Sequence, residues 1–316
     1  MSKCVVTGGA GFIGSNLVSR LIDLGEEVII IDNLSTGNMA NIEKNPDAKF
    51  YEVDISKREE LETVFLDESI DVIFHLAALP RVQFSIASPW ASNNANVTGT
   101  LNLLLAAKNH AVPRFVFSSS SSVYGDQDIL PLAETMKPNP MSPYALQKLS
   151  GEMYTLMFNK IYGLESVALR YFNCYGPGQN PDGGYAALIP KSISKFLKKE
   201  RPVIFGDGLQ TRDFTSIHDV VEANIMAAWP DNTEVFGKAF NIGAGSNRSV
   251  NDVIKNIKAV LQTDIEAEYG AAVIEPKDTR ADISLSKDLL GWEPVVPFED
   301  GIKETVLSYK KENENG

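Results

Sequence analysis

The sequence predicts an α/β fold, a doubly wound parallel sheet with a smaller α/β domain towards its C-terminal end. Three observations carry this. Short β-branched and aromatic runs alternate with helical stretches through the first half, the pattern of strands covered on both faces by helices. A glycine-rich turn links the first such run to the first helix. After Tyr171 the texture changes to a glycine- and proline-rich stretch, then to shorter elements.

In chain order, strands are expected at residues 3–6, 28–31, 50–53, 72–75, 115–117 and 167–169. Helices are expected over 12–24, roughly 89–109 and roughly 143–162, where apolar side chains recur at steps of three and four, as at Leu101, Leu104 and Leu105. Residues 173–185 hold glycines and prolines without periodicity and read as a long loop of the kind that often carries function. A helix at 189–199, a strand at 202–205 and mixed texture at 214–229 and 239–242 follow, the last rejoining the first domain. Residues 251–261 and the final thirty form a small cap. The expected division is therefore 1–172 with about 212–243, against about 173–211 with 244–316.

Composition narrows the partners. The 316 residues are 44% hydrophobic and 22% charged, with a net charge of −12. That field repels phosphate backbones, so nucleic acid is not expected, although backbone amides can still bind a small phosphorylated ligand. No apolar run approaches the roughly 20 residues of a membrane span, so no membrane partner is expected. Met1, Ser2 and Lys3 lead directly into strand-like sequence, which points to a cytoplasmic protein without a signal peptide. Cys4 and Cys174 show no motif spacing, and His75, His110 and His218 have no metal-ligand spacing, so no metal is expected.

The first motif is Thr7-Gly8-Gly9-Ala10-Gly11-Phe12-Ile13-Gly14. Gly8, Gly11 and Gly14 permit a tight turn, close approach to a pyrophosphate and close helix-to-strand packing, while the helix start at Phe12 and Ile13 offers free amides. Asp32 ends the second strand 18 residues past Gly14, as a dinucleotide site requires. Its carboxylate can accept from a ribose diol and would repel a 2′-phosphate. No arginine follows within Asn33, Leu34, Ser35, Thr36 and Gly37, so the expected cofactor is NAD. Asp54, with Ile55 beside it, reads equally well as an acceptor for the adenine amino group or as a surface cap. Leu76, Ala77 and Ala78 after the fourth strand, and Ser118 on the fifth, complete the expected cofactor wall.

The second motif is Tyr144 with Lys148, four apart on a helix that Ser142 caps and Pro143 opens, hence on one face. A free phenol has a pKa of about 10, and a neighbouring ammonium would bring it towards working pH. The serine run 118–122 ends the preceding strand, where open α/β sheets bind ligands, and could hold a substrate oxygen while the phenol takes its proton.

In order along the chain stand GGAGFIG, FHLAA, FSSSSSVYGD, SPYALQK, RYFNCYGPGQNP and FGDGLQTRDFTSIHDV. Over nearly its whole length the chain thus resembles the UDP-glucose and UDP-N-acetylglucosamine 4-epimerases of the extended short-chain dehydrogenase/reductase superfamily. The resemblance implies an NAD-dependent isomerase acting on a UDP-sugar, with a Rossmann-like domain and a nucleotide-sugar-binding one. Ser120 and Tyr144 would be the catalytic hydroxyls, with Lys148 on the nicotinamide ribose. Asn96 would help hold the serine loop and cofactor, and Tyr171 would lie beside the nicotinamide. Ser122 would contact substrate and Asn173 its diphosphate, with Leu188 and Phe205 lining the uracil pocket. Arg212 would bind the diphosphate, its rival role being an internal ion pair with Asp213 or Asp219. A homodimer is implied through the helices around 89–109 and 143–162.

Two departures stand out. The family's C-terminal arginine has no counterpart in Ala272-Val273-Ile274-Glu275, so Lys277 or Arg280 would supply that charge. Thr279, small where others carry an aromatic residue, would admit a 2-N-acetyl group. Rival readings are a UDP-glucuronate 4-epimerase, with Arg81 as the added cation, a 4,6-dehydratase or decarboxylase, and a non-catalytic NAD-binding regulator. The dehydratase would need acids where Ser121 and Ser122 stand. The regulator would be expected to lose the serine, tyrosine or lysine, all of which are present.

Overall fold

The computed structural model describes residues 1–66, 68–181, 187–272 and 277–315. Strands β1 (Lys3–Thr7), β2 (Glu27–Asp32), β3 (Lys49–Glu52), β4 (Val72–His75), β5 (Arg114–Ser120), β6 (Glu165–Tyr171) and β7 (Lys238–Ile242) form one sheet in the order β7-β6-β5-β4-β1-β2-β3. Every pairing in it is parallel. This is the doubly wound, Rossmann-like α/β architecture expected.

The burial pattern shows why these runs are strands. Cys4, Val6, Val28, Ile30 and Phe74 pack on one face with Leu17, Val18 and Leu21 of α1 (Phe12–Asp23). Their neighbours Val5, Ile29, Ile31 and Ile73 pack on the other face with Leu61 and Val64 of α2 (Arg58–Leu66) and Leu103 and Leu104 of α3 (Gly99–Asn109). A side-chain period of two with both faces apolar gives an unbroken hydrophobic run, each fully buried aliphatic residue contributing roughly 1.5–3 kcal/mol. The order reverses between β1 and β4, so the chain leaves these neighbours towards opposite faces and opens a crevice at their carboxyl ends.

Helix α4 (Pro143–Tyr162) has the expected bounds. Ser142 Oγ accepts from the Ala145 amide at 3.2 Å, Pro143 occupies the first turn, and left-handed Gly163 ends the helix. The helix expected over 89–109 is continuous but not uniform. Pro89–Asn93 passes through a π-helical turn, Asn94–Thr98, before α3. Such wide turns are often found at functional sites, and this one carries Asn96.

Beyond β6 the chain builds a separate apolar cluster. It joins α5 (Leu188–Leu197), α7 (Val250–Leu261) and α8 (Phe298–Asn315) through Ile189, Ile193, Ile254, Ile257, Ile302 and Val306. Between α5 and α7, α6 (Ile217–Ala228) returns to the face that α1 covers, and β7 extends the sheet beside β6. The stretch 173–185, expected to be all loop, contains a two-residue strand, Cys174–Tyr175, paired with Thr215–Ser216, while residues 182–185 lie outside those described. Among the described residues no helix is long and apolar enough to cross a membrane.

Candidate active site

The glycine turn sits at the mouth of the crevice. Gly8 is left-handed, with φ of +72°, and a Cβ there would lie 2.7 Å from the Ala77 amide nitrogen at the end of β4. At Gly14 a Cβ would meet the Gly8 carbonyl at 2.1 Å, so α1 can approach β1 only with glycine at this point. Gly11 faces only the Gly8 carbonyl, at 3.1 Å. It is the N-cap of α1 and makes no side-chain cap, so the amides that open the helix at Phe12 and Ile13 have no capping side chain. A pyrophosphate fits that cradle.

Asp32 is buried at the end of β2. Its Oδ2 accepts from the Ala10 amide at 3.0 Å and its Oδ1 from the Leu34 amide at 2.8 Å. Burial raises its pKa against those two bonds. A carboxylate has about four acceptor positions, so two remain for a ribose diol. Gly37 keeps that side open, since a Cβ there would lie 3.1–3.2 Å from the two carboxylate oxygens. Asn33, exposed, accepts from the Ser35 amide two residues on at 3.1 Å, which shapes the loop through Thr36. Asp54 accepts from the Ser56 amide at 2.9 Å. Burial raises its pKa, but bonds from Ser56 and Asn33 outweigh this and the net shift is downward. Ile55 is buried, and its side chain leaves room for nothing larger than glycine at Gly99.

His75 anchors the far wall. The Ala77 amide donates to Thr7 Oγ1 at 3.2 Å, and Thr7 Oγ1 lies 2.8 Å from His75 Nδ1. On the other side His75 Nε2 is 2.8 Å from Thr100 Oγ1, which donates to the Asn96 carbonyl at 2.7 Å. Since Thr100 spends its proton on that carbonyl, it accepts from Nε2–H, and Nδ1 accepts from Thr7. The imidazole is thus neutral with one assigned tautomer, and burial lowers its pKa to about 3. Asn96 accepts from the Leu79 amide at 2.7 Å and donates to the Leu79 carbonyl and Gln147 Oε1. It therefore holds the loop after β4 to α4 and makes no bond to the serine run. Leu76, Ala77 and Ala78 are half-buried on that loop.

The serine run extends β5 to Ser120, then turns through a short 3-10 helix, Ser121–Tyr124. Ser122 donates to Ser120 Oγ through its amide at 3.2 Å and its hydroxyl at 2.9 Å. With both lone pairs of Ser120 occupied, its own proton is left to donate towards the Tyr144 phenol, whose acidity it influences. Burial pushes the phenol up to about 12, and the Ser120 hydroxyl opposes this. Lys148, one turn along, donates to the Ser118 carbonyl at 2.7 Å, with its Nζ 5.2 Å from the centre of the Phe117 ring. Burial lowers that amine to about 7. Serine, phenol and amine thus meet at the carboxyl end of β5, beside the crevice.

Tyr171 pairs with Ser120 in the sheet register, and its hydroxyl donates to Asn224 Oδ1 of α6 at 2.8 Å. Asn173 is exposed, its amide donating to the Asp213 carbonyl at 3.1 Å. Leu188 opens α5, and Phe205, 46% exposed, ends a strand, Val203–Phe205, that pairs with Glu268–Gly270. Arg212 lies opposite Arg248 in an antiparallel pair and donates to the carbonyls of Thr211 at 2.8 Å and Lys277 at 3.0 Å. Asp213, offered as its ion-pair rival, accepts the amides of Ala244, Gly245 and Ala281. Asp219 accepts those of Val295 and Val296. Lys277 is exposed beside Arg212. Arg280 instead runs along the loop at Leu132, whose amide its carbonyl accepts at 2.7 Å. Of the stretch lacking the family arginine, residues 273–275 lie outside those described.

Sequence reasoning missed two groups. One is the Thr7–His75–Thr100 relay. The other is a buried ion pair, Glu152 with Arg170, beneath the serine run. Glu152 stands four residues after Lys148, on the same helical face, and that spacing was the available signal.

Residues 4–243 match the NAD dependent epimerase/dehydratase family. A UDP-glucuronate 4-epimerase of Thermodesulfobacterium geofontis is 37% identical over 325 residues, covering 99% of this chain and 97% of that one. The crystal structure of a UDP-glucose 4-epimerase from Thermotoga maritima with UDP-glucose superposes with a TM-score of 0.94 at 38% identity, covering 98% of this chain and 99% of that one. A UDP-N-acetylglucosamine 4-epimerase from Methanobrevibacter ruminantium, in complex with UDP-N-acetylmuramic acid, gives 0.92 at 40% identity with the same coverage.

Proposed function

The chain belongs to the NAD-dependent epimerase/dehydratase family, and on that premise we propose that it inverts C4 of a UDP-hexose through a transient 4-keto sugar. The observation that carries this reading is the gathering of Ser120, Tyr144 and Lys148 at the carboxyl end of β5, with the Lys148 amine on the Ser118 carbonyl at 2.7 Å. NAD, when bound, supplies a hydride acceptor and donor, so the net reaction is redox-neutral. Gly8, Gly11 and Gly14 would hold its pyrophosphate and Asp32 its ribose. On substrate binding the Ser120 proton turns to the sugar's 4-oxygen, and Tyr144 removes and returns the proton that this oxygen carries. Lys148 stabilises the phenolate by charge. Arg212, with Lys277 beside it, grips the diphosphate, because a planar guanidinium suits phosphate oxygens. Leu188 and Phe205 receive the uracil, and Asn173 also binds the diphosphate. Inversion requires the UDP to be held firmly and the sugar loosely, and the small hydroxyls of Ser120 and Ser122 leave the sugar room to turn.

Residues 1–172 with 212–243 serve the cofactor in this reading, and the remainder serves the nucleotide sugar. The small Thr279 admits 2-acetamido sugars. The Thermodesulfobacterium relative favours one alternative, a hexuronate substrate, for which Arg81 at the head of the Val82–Ala87 helix is the cation. Incubation with UDP-Gal, UDP-GalNAc and UDP-galacturonate, read by proton NMR of the anomeric region, separates these. We expect a 4-epimer pair to equilibrate from at least one, and interconversion of none would remove the reading. A 4-keto-6-deoxy product would replace it with dehydration.

The reading includes a homodimer. Ile86, Trp90, Leu146, Met153 and Ile161 are between 54% and 80% exposed on α4 and the helices packed beside it. So large an apolar surface on adjoining helices favours a second copy of the chain. Sedimentation at micromolar concentration should give a species of twice the 34.6 kDa chain mass, and a monomer would refute the bundle.

A further inference from the structure

Directly beneath the serine run lies a polar cluster with no counterpart among the groups just assigned. Glu152 and Arg170 form a buried ion pair with two bonds, Arg170 Nη2 to Glu152 Oε1 at 2.6 Å and Nε to Oε2 at 3.0 Å. Ser119 donates to the same Oε2 at 2.6 Å. The third guanidinium nitrogen, Nη1, donates to the Tyr124 hydroxyl at 2.8 Å. That hydroxyl in turn donates to Asn241 on β7 at 2.6 Å.

A buried pair of this kind costs several kcal/mol of desolvation per ion, and an apolar pair of similar volume often stabilises as well or better. Stability therefore does not account for the pair, and what it orients is the more informative property. Glu152 is on α4, four residues after Lys148 and eight after Tyr144. Ser119 is on β5 between Ser118, whose carbonyl receives Lys148, and Ser120, whose hydroxyl meets Tyr144. Arg170 precedes Tyr171 on β6. The cluster therefore ties the two elements that carry the reacting groups, α4 and β5, to each other and to β6, one residue away from each contact on β5.

We propose that Glu152 and Arg170, acting through Ser119, are positioning residues that fix the spacing between the Ser120 hydroxyl and the Tyr144 phenol. The proposal rests on the epimerase reading. A misplacement of about 1 Å at a reacting group can cost about a hundredfold in rate, so loss of the tie is read in kcat.

The test uses the full-length protein with its cofactor. Ser119→Ala removes one bond and leaves the ion pair whole. The double variant Glu152→Leu with Arg170→Met removes the charges together, so neither is stranded. Both are expected to retain NAD and a wild-type circular dichroism spectrum, with substrate KM unchanged and kcat reduced about tenfold to a hundredfold. Wild-type kcat in either folded variant overturns the proposal. So does a loss in Ser119→Ala matched by a fall in melting temperature or NAD content, which would make the cluster structural. A wild-type protein inert on every UDP-sugar overturns the epimerase reading itself, a result distinct from both.

Discussion

Replacing Tyr144 by phenylalanine should lower turnover about a thousandfold, within the 10²–10⁴ range of a positioned acid–base group, and leave NAD in place. The substitution keeps the ring, so the first turn of α4, pinned by Ser142 and by the Tyr144 amide on Ser85 Oγ at 3.0 Å, is undisturbed. The glycine turn is on another strand and does not touch the phenol. What disappears is the phenol oxygen that exchanges a proton with the sugar's 4-oxygen in the proposed reaction. With the phenol at about 12 in the free protein, Tyr144 is neutral there. In the proposed reaction the positive charge of Lys148 would favour its ionised form. Anomeric proton NMR gives the rate, and absorbance of the nucleotide released on denaturation gives the NAD content. A variant that turns over at the wild-type rate would exclude Tyr144 as the proton carrier.

Lys148→Met should move activity and stability in opposite directions. The amine is buried against Phe117 with one bond, to the Ser118 carbonyl, and burial lowers its pKa to about 7 from 10.5. Between those two values the unfolded chain binds a proton that the folded one does not, so folded stability rises with pH across that window. At and below pH 7 the wild-type protein carries the full penalty, on the order of a few kcal/mol. Methionine carries none. The cofactor-free variant should therefore melt higher than wild type at pH 7, with the gap narrowing as pH rises towards 10. Turnover should fall at least about a hundredfold, because the charge proposed to stabilise the phenolate is gone. A variant less stable than wild type at pH 7 would mean that the amine is paid for by its surroundings.

The sheet was legible because its chemistry is local. Six of its seven strands follow from β-branched or aromatic runs, and the bounds of α4 follow from a serine cap, a proline and a glycine. The glycine turn was equally plain, since Gly8 and Gly14 are dictated by contacts with backbone. The relay through His75 was not, because Thr7, His75 and Thr100 are brought together only by the register of β1 against β4 and the placement of α3. Asn96 was placed by resemblance beside the serine run. Its bonds to Leu79 and Gln147 depend on the π-helical turn, which nothing in the local apolar period announces. Arg212 and Arg248 face each other across a two-residue ladder too short to leave any pattern in the chain.

The return of β7 to the sheet has a consequence for anyone dissecting this molecule. A fragment ending near residue 172 would leave β6 as a bare edge and strip α6 from the face of Val116 and Leu169, along with the Asn224 that holds Tyr171. One ending near 243 would keep α6 and β7 but lose Trp292, whose indole caps the Asp219 carbonyl at 2.9 Å. Since β7 and α6 come after α5 in the chain, no single cut yields an autonomous half. Chimeras meant to exchange sugar preference will have to transplant at least two separated segments.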